Sequence, residues 1–223
     1  MSVVIAVKDK KTKCVYVGCD GQATSGNNKI TLKGQSNKIW NHNGIDDLII
    51  GGVGTLRDLQ IIQCSPDIIE PMGLALGIDY SYMVRVFYTS IYNRLKEYNR
   101  IEISGEGVYS PFIQDSFIVV QQDEAWVLDP DGAVQELDDY LVIGSGQDIA
   151  TGVLENNKNK DPRTRITEAI LACSDKTVYV DDNITILHTP FMQDKVENGT
   201  KKGKTTKTEK VVDKKKKTTK KGK

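Results

Sequence analysis

Two blocks of short apolar strands, each followed by two amphipathic helices, constrain this chain more than any other feature. SVVIAVK and KCVYVGCD are β-branched or apolar runs split by the polar DKKT, a pattern that predicts a hairpin. The Gly-, Asn- and Lys-rich stretch GQATSGNNKITLKGQSNKIWNHNG leads into DDLIIGGVG, a buried strand ending in glycines. From a capping Thr55, LRDLQIIQC carries Leu56, Leu59, Ile62 and Gln63 at helical spacing. YSYMVRVFYTSIYNRLKEYNR carries a longer stripe through Met83, Val84, Phe87, Ile91 and Leu95, which reads as core packing. SFIVVQQDEAWVLDPDGAVQELDDYLVIGSG returns to strands around a DPDG turn. GQDIATGVLENN and PRTRITEAILACSD predict two more helices, the second with Pro162 at its start, and KTVYVDDNITILHT predicts a closing strand pair. Strands and helices segregated in this order imply an α+β fold in which each helix pair covers one outer face of two packed sheets, a four-layer αββα sandwich.

Composition narrows the function classes. No apolar run approaches the roughly 20 residues that span a bilayer, and the chain opens without the basic-then-apolar pattern of a secretory signal, so a cytoplasmic protein without membrane contact is expected. Cys14, Cys19, Cys64 and Cys173 form no CxxC pair, and His42 and His188 lie far apart, which argues against a zinc site.

A net charge of zero conceals an asymmetry. Residues 194–223 hold 13 Lys against four acids, leaving 17 Lys plus Arg against 26 acids in residues 1–193, so the tail is +9 and the body −9. The tail is too poor in apolar residues to offset its ordering entropy and is expected to be disordered, with residues 1–193 forming the folded domain. One lysine run without aromatics or Arg is a weak nucleic-acid signal, so a solvated extension is the favoured reading and a polyanion tether the alternative.

Gly18-Cys19-Asp20-Gly21-Gln22-Ala23-Thr24, then Gly26-Asn27, Lys33-Gly34 and Asn37-Lys38-Ile39, resemble the proteasome β-subunit family, especially its bacterial HslV-like branch. GGVGTLRD (51–58), DDYLVIGSG (138–146) and SDKTVYVDDNIT (174–185) extend the resemblance in collinear order over roughly residues 2–189. The tail and the segment from Ser65 to Gly77 fall outside it. This resemblance implies the four-layer αββα fold and the chemistry of an N-terminal nucleophile hydrolase.

On that resemblance, Ser2 takes the position of the nucleophile once Met1 is removed, and its free α-amine, with a solution pKa of about 8, acts as the base. Lys38 matches the family's catalytic lysine and Asp20 the carboxylate that holds it; the alternative is a turn-capping Asp20 and a surface Lys38. Gly54 matches the oxyanion-hole donor, against a simple turn glycine. Ser145 and Asp175 match the residues that position the amine and relay its proton, although Ser145 could merely stabilise its Gly-Ser-Gly turn and Asp175 cap a helix end. Carbonyls of Ser174, Thr177 and Val180 would correspond to a monovalent cation site of HslV-like members, to which no assignment is made, and no cofactor is expected. The nucleophile is Ser where the family usually has Thr, which implies slower catalysis of the same reaction.

The function implied is a peptidase subunit that stacks into rings, hydrolyses unfolded proteins or peptides and is fed by an ATP-driven unfoldase; the chain itself carries no GxxxxGK[ST] motif. The alternatives are a catalytically silent shell or scaffold subunit that retains Met1, and an amidohydrolase acting on a small amide.

Overall fold

The structure, a computed structural model, describes residues 2–25, 28–32, 34, 37–69, 77–101 and 113–190. The Lys-rich tail and its expected disorder lie outside these residues.

The opening hairpin is β1 (Val3–Asp9) and β2 (Cys14–Asp20). β3 (Gln22–Ser25) and β4 (Asn28–Thr31) form a small hairpin of their own, followed by β5 (Ile39–Asn41) and β6 (Leu48–Val53). The second block supplies β7 (Ser116–Gln121), β8 (Glu124–Leu128), β9 (Val134–Glu136) and β10 (Tyr140–Gly144), and β11 (Ile184–His188) comes last. They assemble into a four-stranded sheet, β10-β1-β2-β11, and a five-stranded sheet, β5-β6-β7-β8-β9, with every pairing antiparallel.

The near-continuous apolar strands have a simple cause: both faces of both sheets are covered. Along β1, Val3, Ile5 and Val7 point to one core and Val4 and Ala6 to another. β7 divides the same way, with Phe117 and Val119 on one side and Ile118 and Val120 on the other. The shared inner core, containing Val4, Val17, Ile49, Ile118 and Val127, is the sheet-on-sheet interface.

Helices cover the outer faces. α1 (Leu56–Gln63) buries Leu59, Ile61 and Ile62 on the five-stranded sheet. Beside it runs α2, which begins as Tyr80–Tyr82, passes through a π-helical stretch at Met83–Phe87 and continues as Tyr88–Glu97. Its core stripe is Met83, Phe87, Ile91 and Leu95. Val84, read as part of that stripe, is instead 40% exposed, because one residue on from Met83 lies about a quarter turn round the helix. α3 (Gln147–Asn156) and α4 (Pro162–Lys176) cover the four-stranded sheet through Ala150, Leu154, Ile166, Ala169 and Ile170. Asp161 caps α4 by accepting the Thr164 N–H at 3.0 Å, with Pro162 at the position where a missing N–H costs nothing. The layers are therefore helix, sheet, sheet, helix, as the order of segments predicts.

Two further expectations are corrected. The closing segment yields one strand, β11; residues 177–183 form turns in which Val178 is exposed and Val180 buried. β11 takes the edge of β2, and the β-prone KTVYV adds no strand beside it, Val178 and the adjoining Asp181 being used instead to brace Gln22 and Gly21. Thr55 does precede α1, but its side chain makes no capping bond; its own N–H is instead bound by Asp115.

Candidate active site

β1 and β2 meet the Gly144–Gly146 turn at one end of the sandwich, and the candidate residues gather there. Val3 pairs with Gly144, which sets Ser2 just beyond the ladder and only 7% exposed. Gly144 has φ +102°, and a Cβ on it would overlap the Ser2 carbonyl oxygen, so glycine lets the turn close over the chain start. The next residue, Ser145, donates its Oγ–H to that same carbonyl at 3.4 Å.

Asp20 ends β2, fully buried. Its Oδ1 accepts the Val3 N–H at 3.0 Å and Lys38 Nζ at 2.6 Å, and its Oδ2 accepts the Gln22 N–H at 3.1 Å. Lys38, just before β5, is 3% exposed, and its carbonyl accepts the Gly52 N–H at 2.9 Å. A buried carboxylate with three donors and a buried cation with its counter-charge are each satisfied, which an isolated buried charge is not. The turn at 177–183 braces this corner: Val178 O accepts from Gln22 Nε2 at 3.0 Å, and Asp181 Oδ1 from the Gly21 N–H at 2.8 Å.

Ser2, Lys38 and Gly54 line one small cavity of about 60 Å³ whose apolar wall includes Ala23, Leu32 and Leu59. A larger cavity of about 820 Å³ opens between Trp40, Arg57, Gln60 and Leu187. None of the six candidate residues lines it. Five of the six, Ser2, Asp20, Lys38, Gly54 and Ser145, are thus brought together. Asp175 is not: in the last turn of α4 its side chain is 70% exposed and pairs with Lys176 at 2.6 Å.

The thiols near this site are quiescent. Burial pushes Cys19 up to about 12 and Cys173 up to about 11, so neither is a thiolate near neutral pH.

Behind the cavity lies a group that local sequence does not announce. Gly54 has φ +144°, and a Cβ there would overlap Asp115 Oδ1. The same oxygen accepts the Thr55 N–H at 2.7 Å. Asp58, buried on α1, lies alongside Asp115 and is gripped by Arg100 through Nε and, at 3.4 Å, through Nη2. Burial, reinforced by Asp58, pushes the Asp115 carboxyl up to about 7 against the pull of the Thr55 N–H and of Arg100. Sixty residues separate Asp115 from Thr55, so no spacing motif could have joined them.

No protein-family model and no curated protein matches the chain. Solved structures do. BPH of Thiobacillus denitrificans superposes with a TM-score of 0.67 at 14% identity, covering 86% of this chain and 98% of that one. The same protein in complex with epoxomicin gives 0.64 at 13% identity over 85% and 98%. Eukaryotic HslV from Trypanosoma brucei gives 0.58 at 18% identity over 84% and 98%. The resemblance read from the motifs is thereby a resemblance of fold: the chain is an α+β, four-layer αββα sandwich of the kind seen in HslV and BPH.

Proposed function

We propose that this chain is the peptidase subunit of a ring-shaped, self-compartmentalising protease, with Ser2 as its N-terminal nucleophile after loss of Met1. The observation that carries the reading is the buried Lys38–Asp20 pair, whose carboxylate also holds the Val3 N–H and so sets the chain start against the cation.

In this reading the freed Ser2 α-amine takes the hydroxyl proton as Oγ attacks a peptide carbonyl. The Lys38 charge favours the developing alkoxide, and the Gly54 N–H receives the oxyanion. Collapse of the intermediate breaks the C–N bond, the amine returns its proton to the leaving nitrogen, and water then hydrolyses the Ser2 ester. Ser145 orients the chain start through the Ser2 carbonyl. Asp175 has no direct step from its observed position.

Ring assembly and unfolded protein substrates belong to the same proposal and are supported by the fold shared with HslV, and an ATP-driven unfoldase is proposed as the partner that feeds them. In this proposal residues 1–193 supply the ring contacts and residues 194–223 are a solvated extension outside them.

Intact mass on protein from its own host, combined with hydrolysis of a fluorogenic peptide, tests the proposal. Met1 is expected to be absent, Ser2→Ala to abolish hydrolysis without changing sedimentation, and epoxomicin to inhibit the wild type. Persistent activity in a processed Ser2→Ala protein would overturn it. A second reading, a silent shell subunit, is favoured by the outward placement of Asp175; retention of Met1 together with normal rings would establish it.

A further inference from the structure

We propose that Asp115 is a positioning residue for the oxyanion-binding backbone: as a neutral carboxyl it bridges the Thr55 N–H and the Asp58 carboxylate, and its ionisation sets a buried negative charge against the Gly54 peptide. The inference rests on the peptidase reading of the same cavity.

The geometry is specific. Asp115 is fully buried, and its Oδ1 is spent on the Thr55 N–H while packing directly against Gly54. Its Oδ2 is buried with no donor among the described residues. The charged groups that face it among those residues are Asp58 from α1 and Arg100 from the end of α2, and Arg100 is already engaged with Asp58. Two adjacent buried carboxylates beside one guanidinium are satisfied when one keeps a proton. Protonated Asp115 then donates from Oδ2 to Asp58, and the chain Thr55 N–H, Asp115, Asp58, Arg100 has every buried group partnered.

Ionisation breaks this chain in two ways. Asp58 repels the new charge, and Oδ2 no longer carries the proton that joins the two carboxyls. A buried negative charge directly behind the Gly54 peptide also opposes an oxyanion forming in front of it, in a region where water screens poorly. The raised carboxyl, titrating at about 7, puts that change within the working range. Turnover would therefore decline as pH rises through this value even though the Ser2 amine becomes a better base.

The test is the pH profile of kcat and KM from 5.5 to 9 for processed wild type, Asp115→Asn and Asp115→Ala, with thermal unfolding of the same full-length proteins. Asn keeps an oxygen for Thr55 and offers an N–H to Asp58 without a titrating proton. Wild type is expected to give a bell with its descending limb near pH 7. Asp115→Asn should lose that limb and run at least tenfold faster than wild type at pH 9. Asp115→Ala should lose about 10²-fold in kcat at every pH with little change in KM, the scale of removing an oxyanion donor. Superimposable profiles for wild type and Asp115→Asn overturn the inference and leave the peptidase reading standing. If no processed protein hydrolyses peptide, the peptidase reading has failed, and unfolding decides the carboxyl pair alone. A group raised in the folded state stabilises at low pH and loses that contribution as pH rises through its folded value. The Tm of wild type should thus fall relative to Asp115→Asn between pH 5 and 8, and parallel Tm curves refute the protonated pair.

Discussion

Lys38 Nζ stands 2.6 Å from Asp20 Oδ1, inside an ion pair in which neither side chain is more than 3% exposed. Because that oxygen also binds the Val3 N–H, the cation, the end of β2 and the start of β1 form one rigid corner, with Ser2 the next residue along.

Lys38→Met should show what the pair is worth. The apolar stem is kept, but among the described residues Asp20 is left as a buried carboxylate with two backbone donors. A loss of about 3–5 kcal/mol in denaturant unfolding is expected, the scale of breaking a buried pair from one side.

Lys38→Arg separates charge from shape. The planar guanidinium cannot occupy the site of a compact ammonium 2.6 Å from Asp20. Peptide hydrolysis should stay several orders of magnitude down, as in Lys38→Ala; a near-normal rate in either variant would make Lys38 structural only.

Gly144→Ala places a methyl group on the Ser2 carbonyl and forces an L-residue to φ +102°. Backbone strain on the order of 1–3 kcal/mol is expected in the unfolding free energy. The larger effect falls on rate: displacing Ser2 by about 1 Å should cost about 10²-fold in kcat. An unimpaired rate would mean that Ser2 does not need this seat.

Asp139 and Arg165 give an acid-side prediction. Arg165 is buried and donates through both terminal nitrogens to Asp139, at 3.2 and 2.7 Å, which holds that carboxyl below its ordinary range. A carboxyl depressed on folding stabilises above its unfolded value, about 3.9, and loses that contribution as pH falls through the lower folded value. Wild type should therefore lose Tm below pH 4 more steeply than Asp139→Asn, which is already destabilised by about 3 kcal/mol at neutral pH because Arg165 is left unpaired.

Asp175→Ala should leave both Tm and kcat unchanged, since among the described residues its carboxylate pairs with the equally exposed Lys176 alone. A tenfold fall in kcat would place it in the proton path despite its outward position.

Val3, Val4, Ile5, Ala6 and Val7 already display in sequence that β1 is covered on both sides, because a strand's period of two sends alternate side chains to opposite faces. The stripe of Met83, Phe87, Ile91 and Leu95, the Asp161-Pro162 start of α4 and the DPDG turn are equally local, and the layer order follows from their succession. The resemblance around Asp20 and Lys38 implies that the carboxylate holds the lysine, and the two side chains do meet, although spacing alone does not bring them together.

The tertiary structure decided what depends on partners distant along the chain. KTVYV has strand propensity, yet in the fold it forms turns whose Val178 carbonyl accepts from Gln22. Thr55 looks like a cap, yet its N–H goes to Asp115, sixty residues on. The resemblance gave Ser145 and Asp175 alike a place beside the amine, yet Ser145 reaches the Ser2 carbonyl while Asp175 pairs with Lys176 on the surface. Periodicity reports which face of an element is buried; only packing determines what it is buried against, and the Lys38–Asp20 pair and the carboxyl behind Gly54 exist only once both sheets and α1 are in place.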